Sequence, residues 1–502
     1  MTSKREYGDY QTPFNFALKI CTFLKEEKNL KPEIILDPTC GIGNFLKASK
    51  IFEAEKYFGI EINPNHCKEC IKNFSDERLN VINEDFFQCD LSILSKDDNL
   101  LIIGNPPWAT NSNLSRNLPQ KSNFKNLKGL DALTGASNFD ICEYIISNLV
   151  ERYRNTKTVF AMLCKNSVAR KIFANMINQR ICFESFEIFE FDSKKIFGIS
   201  ASACLSFIRL TDKNFSLSNF EIYDLENPNI LKKSLSFENG NFSCNTSDEL
   251  YDFDGKCNFE WRQGIKHDCS KIMELTLENG NFKNGNNEVV AAEDKIIFPL
   301  IKGSTIKNPI VNKFSKYVIV TQKFLGEDTA HLENDAPLTW QYLKKNSALL
   351  AKRKSRIYDN ATEFAMFGIG DYSYLPYKVC IGGFNKKPVF SLAFSLDKKP
   401  VMLDDTSYFI GFENYEMAYV AMIYLNSAKV QVFLQDLSFT DAKRPYTKKL
   451  LSRLDFSKIC KKISIEELKN TESELGLENQ LNESALKNFL ELVKYSDLTL
   501  RV

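Results

Sequence analysis

The chain has 502 residues, which exceeds one ordinary domain and predicts two or three. Its hydrophobic fraction of 43% supports packed cores, and its charged fraction of 26% argues against global disorder. The formal net charge of +1 neither favours nor excludes a nucleic-acid partner, so any such contact must come from a local basic patch.

Short apolar runs alternate with helical patterns over the first two hundred residues, and helices are predicted to begin near Asn44 and Pro64. Strands that alternate with helices favour an α/β fold with a doubly wound parallel sheet. The predicted strands are residues 33–37, 57–61, 79–82, 100–103, 158–163 and 204–208.

The rest of the chain falls into three stretches of different texture. Residues 212–285 are rich in Asn, Ser, Lys and Phe, and the pairs Asn239-Gly240 and Asn279-Gly280 predict tight turns of the hairpin kind. Aromatic and basic residues return over 286–455, with turn-rich strands and some helix. Helical patterning resumes over 456–502. We expect domains at 1–211 and 286–455, a bridging segment at 212–285 and a helical tail.

Four candidate ligand-binding loops each follow a predicted strand, where open α/β sheets bind their ligands. The first has two glycines at a strand-to-helix turn, which lets the backbone approach a ligand closely. The second supplies an acid suited to ribose hydroxyls, and the third supplies a carboxylate and an aromatic ring suited to an adenine. The loops are residues 37–45, Glu61 with Ile62, Asp85 with Phe86, and Asn105, Pro106, Pro107 and Trp108.

This array resembles the N6-adenine DNA methyltransferases with a C-terminal target-recognition domain, the gamma class of restriction-modification amino-methyltransferases. Residues 8–13, 37–45 and 105–108 carry the resemblance. It implies a Rossmann-like methyltransferase sheet, a C-terminal mixed α+β DNA-recognition domain and S-adenosyl-L-methionine as the cofactor. Double-stranded DNA is the implied partner, with a separately acting restriction endonuclease as a further candidate.

The resemblance also implies roles for the cofactor-site residues. The methionine part of the cofactor would be surrounded by Thr12, Asp37, Pro38, Thr39 and Gly41. The adenosine would be held by Glu61 and Ile62, and its adenine ring by Asp85 and Phe86. Cys40 and Gly43 belong to the same cofactor loop, Asn105 borders the cofactor, and Phe139 would line its pocket.

Chemistry explains the tetrapeptide that begins at Asn105. The adenine amine is a poor nucleophile because its lone pair is delocalised into the ring. The Asn105 side-chain oxygen and the Pro106 carbonyl could accept its two hydrogens and orient the nitrogen for attack. Trp108 and Phe197 would stack on a base extruded from the duplex. For Phe197 the alternative is an ordinary core position in a chain with 40 Phe residues.

Basic residues interleaved with aromatics predict a DNA contact in the C-terminal half. The alternative is an ordinary solvated helix. The predicted contacts are Lys352, Arg353, Lys354, Arg356, Tyr358, Lys443 and Arg444.

Other interpretations of the same residues remain open. The tetrapeptide chemistry also serves transfer to the N4 amine of cytosine, to RNA and to protein amides, and a DNA-binding protein on an inactive methyltransferase fold is the non-enzyme alternative. Cys67 and Cys70 form an isolated C-x-x-C, which supplies half of a zinc site, so no metal is predicted. The polar first residues and the lack of a membrane-length apolar run predict a cytoplasmic protein, in the bacterial cytoplasm and on the nucleoid when bound to DNA.

Overall fold

A computed structural model describes residues 10–94, 99–108, 140–215, 217–238, 240–244, 253–397, 399–439 and 442–499. The chain divides into two compact units, Met1–Thr246 and Ser247–Val502. We call them unit 1 and unit 2.

Unit 1 contains a ten-stranded mixed sheet with the strand order β10-β9-β8-β6-β7-β5-β4-β1-β2-β3. The strands are β1 (Ile34–Asp37), β2 (Lys56–Ile60), β3 (Leu79–Ile82), β4 (Leu100–Gly104), β5 (Val159–Lys165), β6 (Phe183–Phe191), β7 (Ala203–Leu210), β8 (Asn219–Asp224), β9 (Asn227–Glu238) and β10 (Asn241–Cys244). Strands β3, β2, β1, β4 and β5 are parallel, while β7 runs antiparallel to both β5 and β6. The predicted parallel α/β sheet is therefore confirmed for its first five strands.

The helices of unit 1 include the two that the sequence predicts, which begin at Asn44 and Pro64. The helices of this unit are α1 (Phe14–Glu26), α2 (Asn44–Ala48), α3 (Pro64–Phe74), α4 (Ile141–Arg152), α5 (Asn166–Asn178) and α6 (Ser193–Phe197). Local chemistry fixes the start of α3, because Pro64 occupies its first turn and the Asn63 side chain accepts the Asn65 N–H at 3.0 Å.

The structure divides the predicted bridging segment 212–285 between the two units. Strands β8 to β10 extend the sheet of unit 1, and Phe220, Ile222, Leu235 and Phe237 of these strands are buried. The remainder, from residue 253, belongs to unit 2. Gly240 and Gly280, with φ of +76° and +79°, lie at the turns between antiparallel strands, as their Asn-Gly pairs predict.

Unit 2 contains two five-stranded sheets, with the orders β11-β20-β17-β18-β15 and β13-β12-β16-β14-β19. Their strands are β11 (Arg262–Gln263), β12 (Glu274–Glu278), β13 (Asn281–Lys283), β14 (Ile297–Ile301), β15 (Ile310–Val311), β16 (Lys316–Ile319), β17 (Tyr377–Gly382), β18 (Phe390–Ala393), β19 (Met402–Leu403) and β20 (Ser407–Phe412). Neighbouring strands are antiparallel except for the β15–β18 and β14–β19 pairs.

The helices of unit 2 are α7 (Ser270–Met273), α8 (Leu332–Asp335), α9 (Pro337–Lys345), α10 (Ser347–Leu350), α11 (Tyr415–Asn426), α12 (Ala428–Leu437), α13 (Lys448–Leu451), α14 (Phe456–Lys462), α15 (Ile465–Glu474) and α16 (Glu483–Thr499). The predicted tail, residues 456–502, supplies α14 to α16, and its Phe456, Leu468 and Phe489 lie in the same core as α11. No single helix of the described residues meets the length and hydropathy of a membrane span; the bent pair α11–α12, which turns by 62°, meets them together and is a core element.

Candidate active site

The four predicted loops lie at one edge of the sheet of unit 1. Strands β1, β2, β3 and β4 are parallel and end at Asp37, Ile60, Ile82 and Gly104. Their carboxyl ends therefore point the same way, and the loop residues that follow share that edge. Because β1 lies between β4 and β2, the Asp37 loop is central.

The first loop is a tight turn that favours glycine at two positions. Gly41 and Gly43 have φ of +53° and +81°, and the Gly43 N–H donates to the Cys40 carbonyl at 2.9 Å. A Cβ on Gly41 would overlap the Gln11 side chain, and one on Gly43 would overlap Cys70. The turn is therefore packed closely against two other segments, and α2 begins directly after it.

Glu61 connects the first and second loops. Its Oε2 accepts the Gly41 N–H at 2.9 Å, and its Oε1 accepts the Asn63 N–H at 2.8 Å. Ile62, next in the chain, is 53% exposed, and Asn83 donates to the Glu61 and Ile62 carbonyls at 2.8 and 3.2 Å. Glu61 and Ile62, the acid and the apolar side chain predicted at this loop, therefore lie on a segment that hydrogen bonds hold in place.

Asp37 is a buried carboxyl at the centre of the edge. Burial raises its pKa to about 8, the nearby Glu61 charge adds to the rise, and the Thr39 N–H donated to Oδ1 at 3.1 Å opposes it. A Cβ on Gly104 would overlap this carboxyl. Glycine at the end of β4 therefore permits Asp37 to lie directly beside the strand that leads into Asn105.

Asn105 is held in one orientation by the backbone. Its Nδ2 donates to the Tyr10 carbonyl at 2.9 Å, while its Oδ1 is buried and has no partner among the described residues. A carbonyl can only accept, so the amide nitrogen must face Tyr10 and the oxygen must face the other way. Pro106 is buried and Pro107 half-buried, and their rings restrict the loop that follows.

The segment before α1 is connected to the first loop. Gln11 Oε1 accepts the Ile42 N–H at 3.2 Å, and the Thr12 carbonyl accepts from Asn44 Nδ2 at 2.8 Å. Thr12 is buried and its hydroxyl has no partner among the described residues. Of the predicted motif at 8–13, only residues 10–13 are described.

Three aromatic side chains gather beside Asn105. The Trp108 and Phe197 rings lie 5.5 Å apart with an angle of 71° between their planes, and the Tyr10 ring lies 6.4 Å from each. Trp108 is buried with its Nε1 unpartnered among the described residues, while Phe197 is half-buried at the end of α6. Trp108 and Phe197 are far apart in the chain, so the fold of unit 1 brings these two predicted stacking residues together.

Sequence reasoning missed a charged pair behind the tetrapeptide. Lys165, at the end of β5, donates to Asp140 Oδ2 at 2.6 Å and to the Trp108 carbonyl at 3.5 Å. Burial raises the pKa of Asp140, and the adjacent Lys165 ammonium opposes the rise. The signal was available, because Lys165 follows a predicted strand in the same way as the four loops.

The third loop is a turn that begins at Asp85, whose carbonyl accepts the Gln88 and Cys89 N–H groups at 2.9 and 3.0 Å. Asp85 and Phe86 are half-buried, and Asp85 Oδ1 accepts the Phe87 N–H at 3.1 Å. The Phe86 ring lies 5.5 Å from that of Phe87. The predicted pocket residue Phe139 lies outside the described residues.

Four buried side-chain atoms of this site have no hydrogen-bond partner among the described residues: Thr12 Oγ1, Thr39 Oγ1, Asn105 Oδ1 and Trp108 Nε1. An unsatisfied buried polar atom costs about 1–3 kcal/mol, so a cluster of them indicates a place where a polar ligand binds. Across the described parts of the chain, no group of three or more His, Cys, Asp or Glu side chains could hold a metal ion.

In unit 2 the predicted DNA contacts differ in what their side chains already bind. Arg353 donates to the carbonyls of Leu350, Ala365 and Glu363 at 2.8–2.9 Å, and its guanidinium lies 3.9 Å from the Tyr358 ring centroid. Three of the five guanidinium N–H groups, one on each nitrogen, are therefore engaged with backbone carbonyls of unit 2. These bonds give Arg353 a structural role within unit 2, and its contact with DNA stays a prediction.

The side chains of the neighbouring lysines Lys352 and Lys354 are available for a phosphate contact. Lys352 and Lys354 are exposed and form no ion pair with the described residues, whereas Lys344 pairs with Glu363 at 2.6 Å. Tyr358 is half-buried and donates to the Lys266 carbonyl at 3.3 Å. The side chain of Arg356 lies outside the described residues.

Lys443 and Arg444 lie elsewhere in unit 2, beside an exposed aromatic side chain. Their cationic groups are 5.5 and 5.0 Å from the Phe384 ring centroid. Arg444 also lies 4.0 Å from the Asp405 carboxylate.

Comparison with known proteins identifies the class. Residues 1–180 match the family model described as N-6 DNA Methylase. The type II methyltransferase M.NspV of a Nostoc strain is 40% identical over 481 residues, which covers 92% of this chain and 98% of that protein.

Two solved structures are more distant. The type IIG restriction endonuclease BpuSI is 13% identical, with a TM-score of 0.36. The match covers 98% of this chain and 67% of the BpuSI chain. A type I restriction-modification methyltransferase subunit of Streptococcus thermophilus has 16% identity and a TM-score of 0.31, covering 43% and 47%. Neither likeness carries a functional conclusion.

The family model and the 40% identical relative together identify a methyltransferase. The chain belongs to the type II DNA methyltransferases of the N-6 DNA methylase family. It is a sequence-specific, adenine-directed enzyme of the restriction-modification kind, and its methyl donor is S-adenosylmethionine. The expected family, activity and cofactor are confirmed, and the N6 family favours adenine over the cytosine alternative.

Proposed function

We propose that Asn105 and the Pro106 carbonyl accept the two hydrogens of the target adenine N6 amine. The observation that carries this assignment is the Tyr10 carbonyl, which binds Asn105 Nδ2 and leaves a buried Oδ1 without a partner among the described residues. Two acceptors draw the nitrogen toward a tetrahedral geometry and localise its lone pair for attack. No covalent enzyme intermediate is required.

The aromatic cluster is proposed to hold the extruded base. Trp108 and Phe197 offer planar surfaces beside Asn105, and stacking on aromatic side chains offsets the cost of unpairing the base. Lys165 is a positioning residue in this scheme, since it contacts the Trp108 carbonyl while Asp140 neutralises its charge.

The cofactor residues are assigned by chemistry and position. Thr12, Asp37, Pro38, Thr39 and Gly41 are proposed to surround the methionine part, with Cys40 and Gly43 shaping the turn. The unpartnered Thr12 and Thr39 hydroxyls and the buried Asp37 carboxyl fit a cationic, hydrogen-bonding group. Glu61 and Ile62 are proposed for the adenosine, and Asp85 and Phe86 for its ring. When bound, the cofactor supplies an electrophilic sulfonium methyl group.

Unit 2 is proposed to be the target-recognition domain, which holds double-stranded DNA. A restriction endonuclease acting separately on the same sequence is the proposed companion. We place the reaction in the bacterial cytoplasm, where chromosomal DNA is the substrate.

The test compares DNA from cells that express the wild-type chain, Asn105→Ala or Asn80→Ala, by long-read modification sequencing. Asn80 is an exposed residue of β3 and serves as the matched control. We expect N6-methyladenine at one motif with the wild type and the control. On a duplex that carries this motif, we expect the turnover of purified Asn105→Ala to fall by about 100-fold or more. A turnover within about tenfold of the wild type would overturn the assignment.

A further inference from the structure

Four segments of unit 2 meet around Asp405. The Gln263 side chain donates to the Asp405 carbonyl at 2.5 Å, and Arg444 lies 4.0 Å from the Asp405 carboxylate. Arg444 and Lys443 flank the Phe384 ring, which is 37% exposed. We call these five residues, Gln263, Phe384, Asp405, Lys443 and Arg444, the Asp405 surface.

The Asp405 surface stands on closely packed backbone. A Cβ on Gly264 would overlap the Asp404 carbonyl, and the Gly383 N–H donates to the Thr406 carbonyl at 2.7 Å. The Asp404 carboxylate accepts the Gly303 N–H at 3.1 Å and the Thr406 hydroxyl at 2.6 Å. Gln263, Phe384 and Asp405 therefore project from closely packed backbone, which is the condition for precise hydrogen bonding.

The chemistry of the surface suits base edges. Gln263 is exposed and its Oε1 has no partner among the described residues. Arg444 is half-buried, with its guanidinium between the Phe384 ring at 5.0 Å and the Asp405 carboxylate at 4.0 Å. Arg pairs bidentately with guanine, and amides pair with adenine. Lys443 is exposed and Arg444 half-buried, so two cationic groups of the surface are accessible to a polyanion, while Lys266, Asp404 and Asp268 are further charges close to Asp405.

The exposed lysines Lys352 and Lys354 lack this character. An ammonium group is a point charge with no planar donor pattern, so these lysines suit phosphates rather than bases.

We propose that the Asp405 surface reads base edges of the target sequence, with Arg444, which lies between Phe384 and Asp405, binding a guanine. This inference rests on the proposed role of unit 2 in holding DNA. It makes Arg444 a determinant of sequence specificity rather than of general DNA affinity.

The test uses the full chain as wild type, Arg444→Lys, Asp405→Asn and Lys354→Ala. Long-read sequencing of DNA from expressing cells gives each modified motif. Binding is then measured on a duplex with the wild-type motif and on a scrambled duplex. Thermal melting checks that each variant folds, and Asp405→Asn keeps the test decisive if Arg444→Lys does not fold.

We expect Arg444→Lys to weaken binding to the motif duplex by about tenfold or more, to leave scrambled-duplex binding within about twofold, and to relax one G·C position of the motif. Asp405→Asn changes the same position by a smaller factor. Lys354→Ala weakens both duplexes equally. An equal weakening on both duplexes with Arg444→Lys, or an unchanged motif, would overturn the inference. Failure of the wild type to bind DNA would instead count against the proposed role of unit 2.

Discussion

The candidate active site of unit 1 and the Asp405 surface of unit 2 differ in how far their polar groups are buried and in whether those groups have partners. At the candidate active site, the key polar atoms are buried and have no partner among the described residues, as with Asn105 Oδ1 and Thr12 Oγ1. At the Asp405 surface, the polar groups are exposed or half-buried and lie against one another. A buried polar atom without a partner gains a full hydrogen bond when a ligand supplies one, whereas an exposed group exchanges a bond to water for a bond to the ligand. In the functions proposed here, the buried atoms take part in methyl transfer and the exposed groups in DNA recognition.

Arg353 challenges this contrast most directly, because by sequence it resembles a recognition residue. We expect Arg353→Ala to lower the free energy of unfolding of unit 2 by about 3 kcal/mol, since three backbone carbonyls are left without a charged donor. Lys352→Ala, the neighbouring control, changes it by about 0.5 kcal/mol or less. Urea unfolding followed by tryptophan fluorescence measures both. Unchanged stability together with weakened DNA binding would indicate that Arg353 contacts DNA rather than stabilising unit 2.

The pH dependence of cofactor binding tests the role proposed for the buried Asp37 carboxyl. Its pKa is raised to about 8, so the carboxyl is largely protonated at pH 6 and ionises as it meets a cationic ligand. Cofactor affinity should therefore rise by roughly tenfold from pH 6 to pH 7, with release of a proton. Asp37→Asn removes the dependence. Calorimetry in buffers of different ionisation enthalpy measures it, and a flat wild-type profile would contradict the assignment.

The same raised pKa affects stability in the absence of ligand. The folded state favours the neutral carboxyl, so stability is highest below the ordinary pKa of 3.8 and declines as pH rises towards about 8. Asp37→Asn should remove this decline, which thermal melting over a pH series measures.

The exposed lysines should produce the smallest effect. In Lys352→Ala/Lys354→Ala, the slope of log affinity against log salt should become shallower by about 0.9 for each phosphate interaction removed, or about 2 in total. The modified motif should stay the same. Fluorescence anisotropy over a salt series measures the slope, and an unchanged slope would remove these lysines from the DNA path.

The sequence predicted the parallel strands and the loops after them because buried apolar runs and glycine turns are local signals. It did not predict that β8 to β10 join the same sheet, since strand pairing depends on partners distant in the chain. It also did not predict that the Tyr10 carbonyl binds the Asn105 side chain, because every residue has a backbone carbonyl and no residue type marks the one that is used. Arg353 was grouped with the neighbouring lysines, since charge alone does not reveal internal hydrogen bonds.

The hydrogen bond from Asn105 to the Tyr10 carbonyl bears on how this enzyme could be engineered. A main-chain oxygen survives every side-chain substitution at its own position, so point mutation there cannot delete it. Only moving the segment can, for instance by pulling on a tether attached just ahead of residue 10. With the role proposed for Asn105, a mechanical or ligand-driven tether at that place would act as a switch on methyl transfer without any change to the residues of the proposed active site.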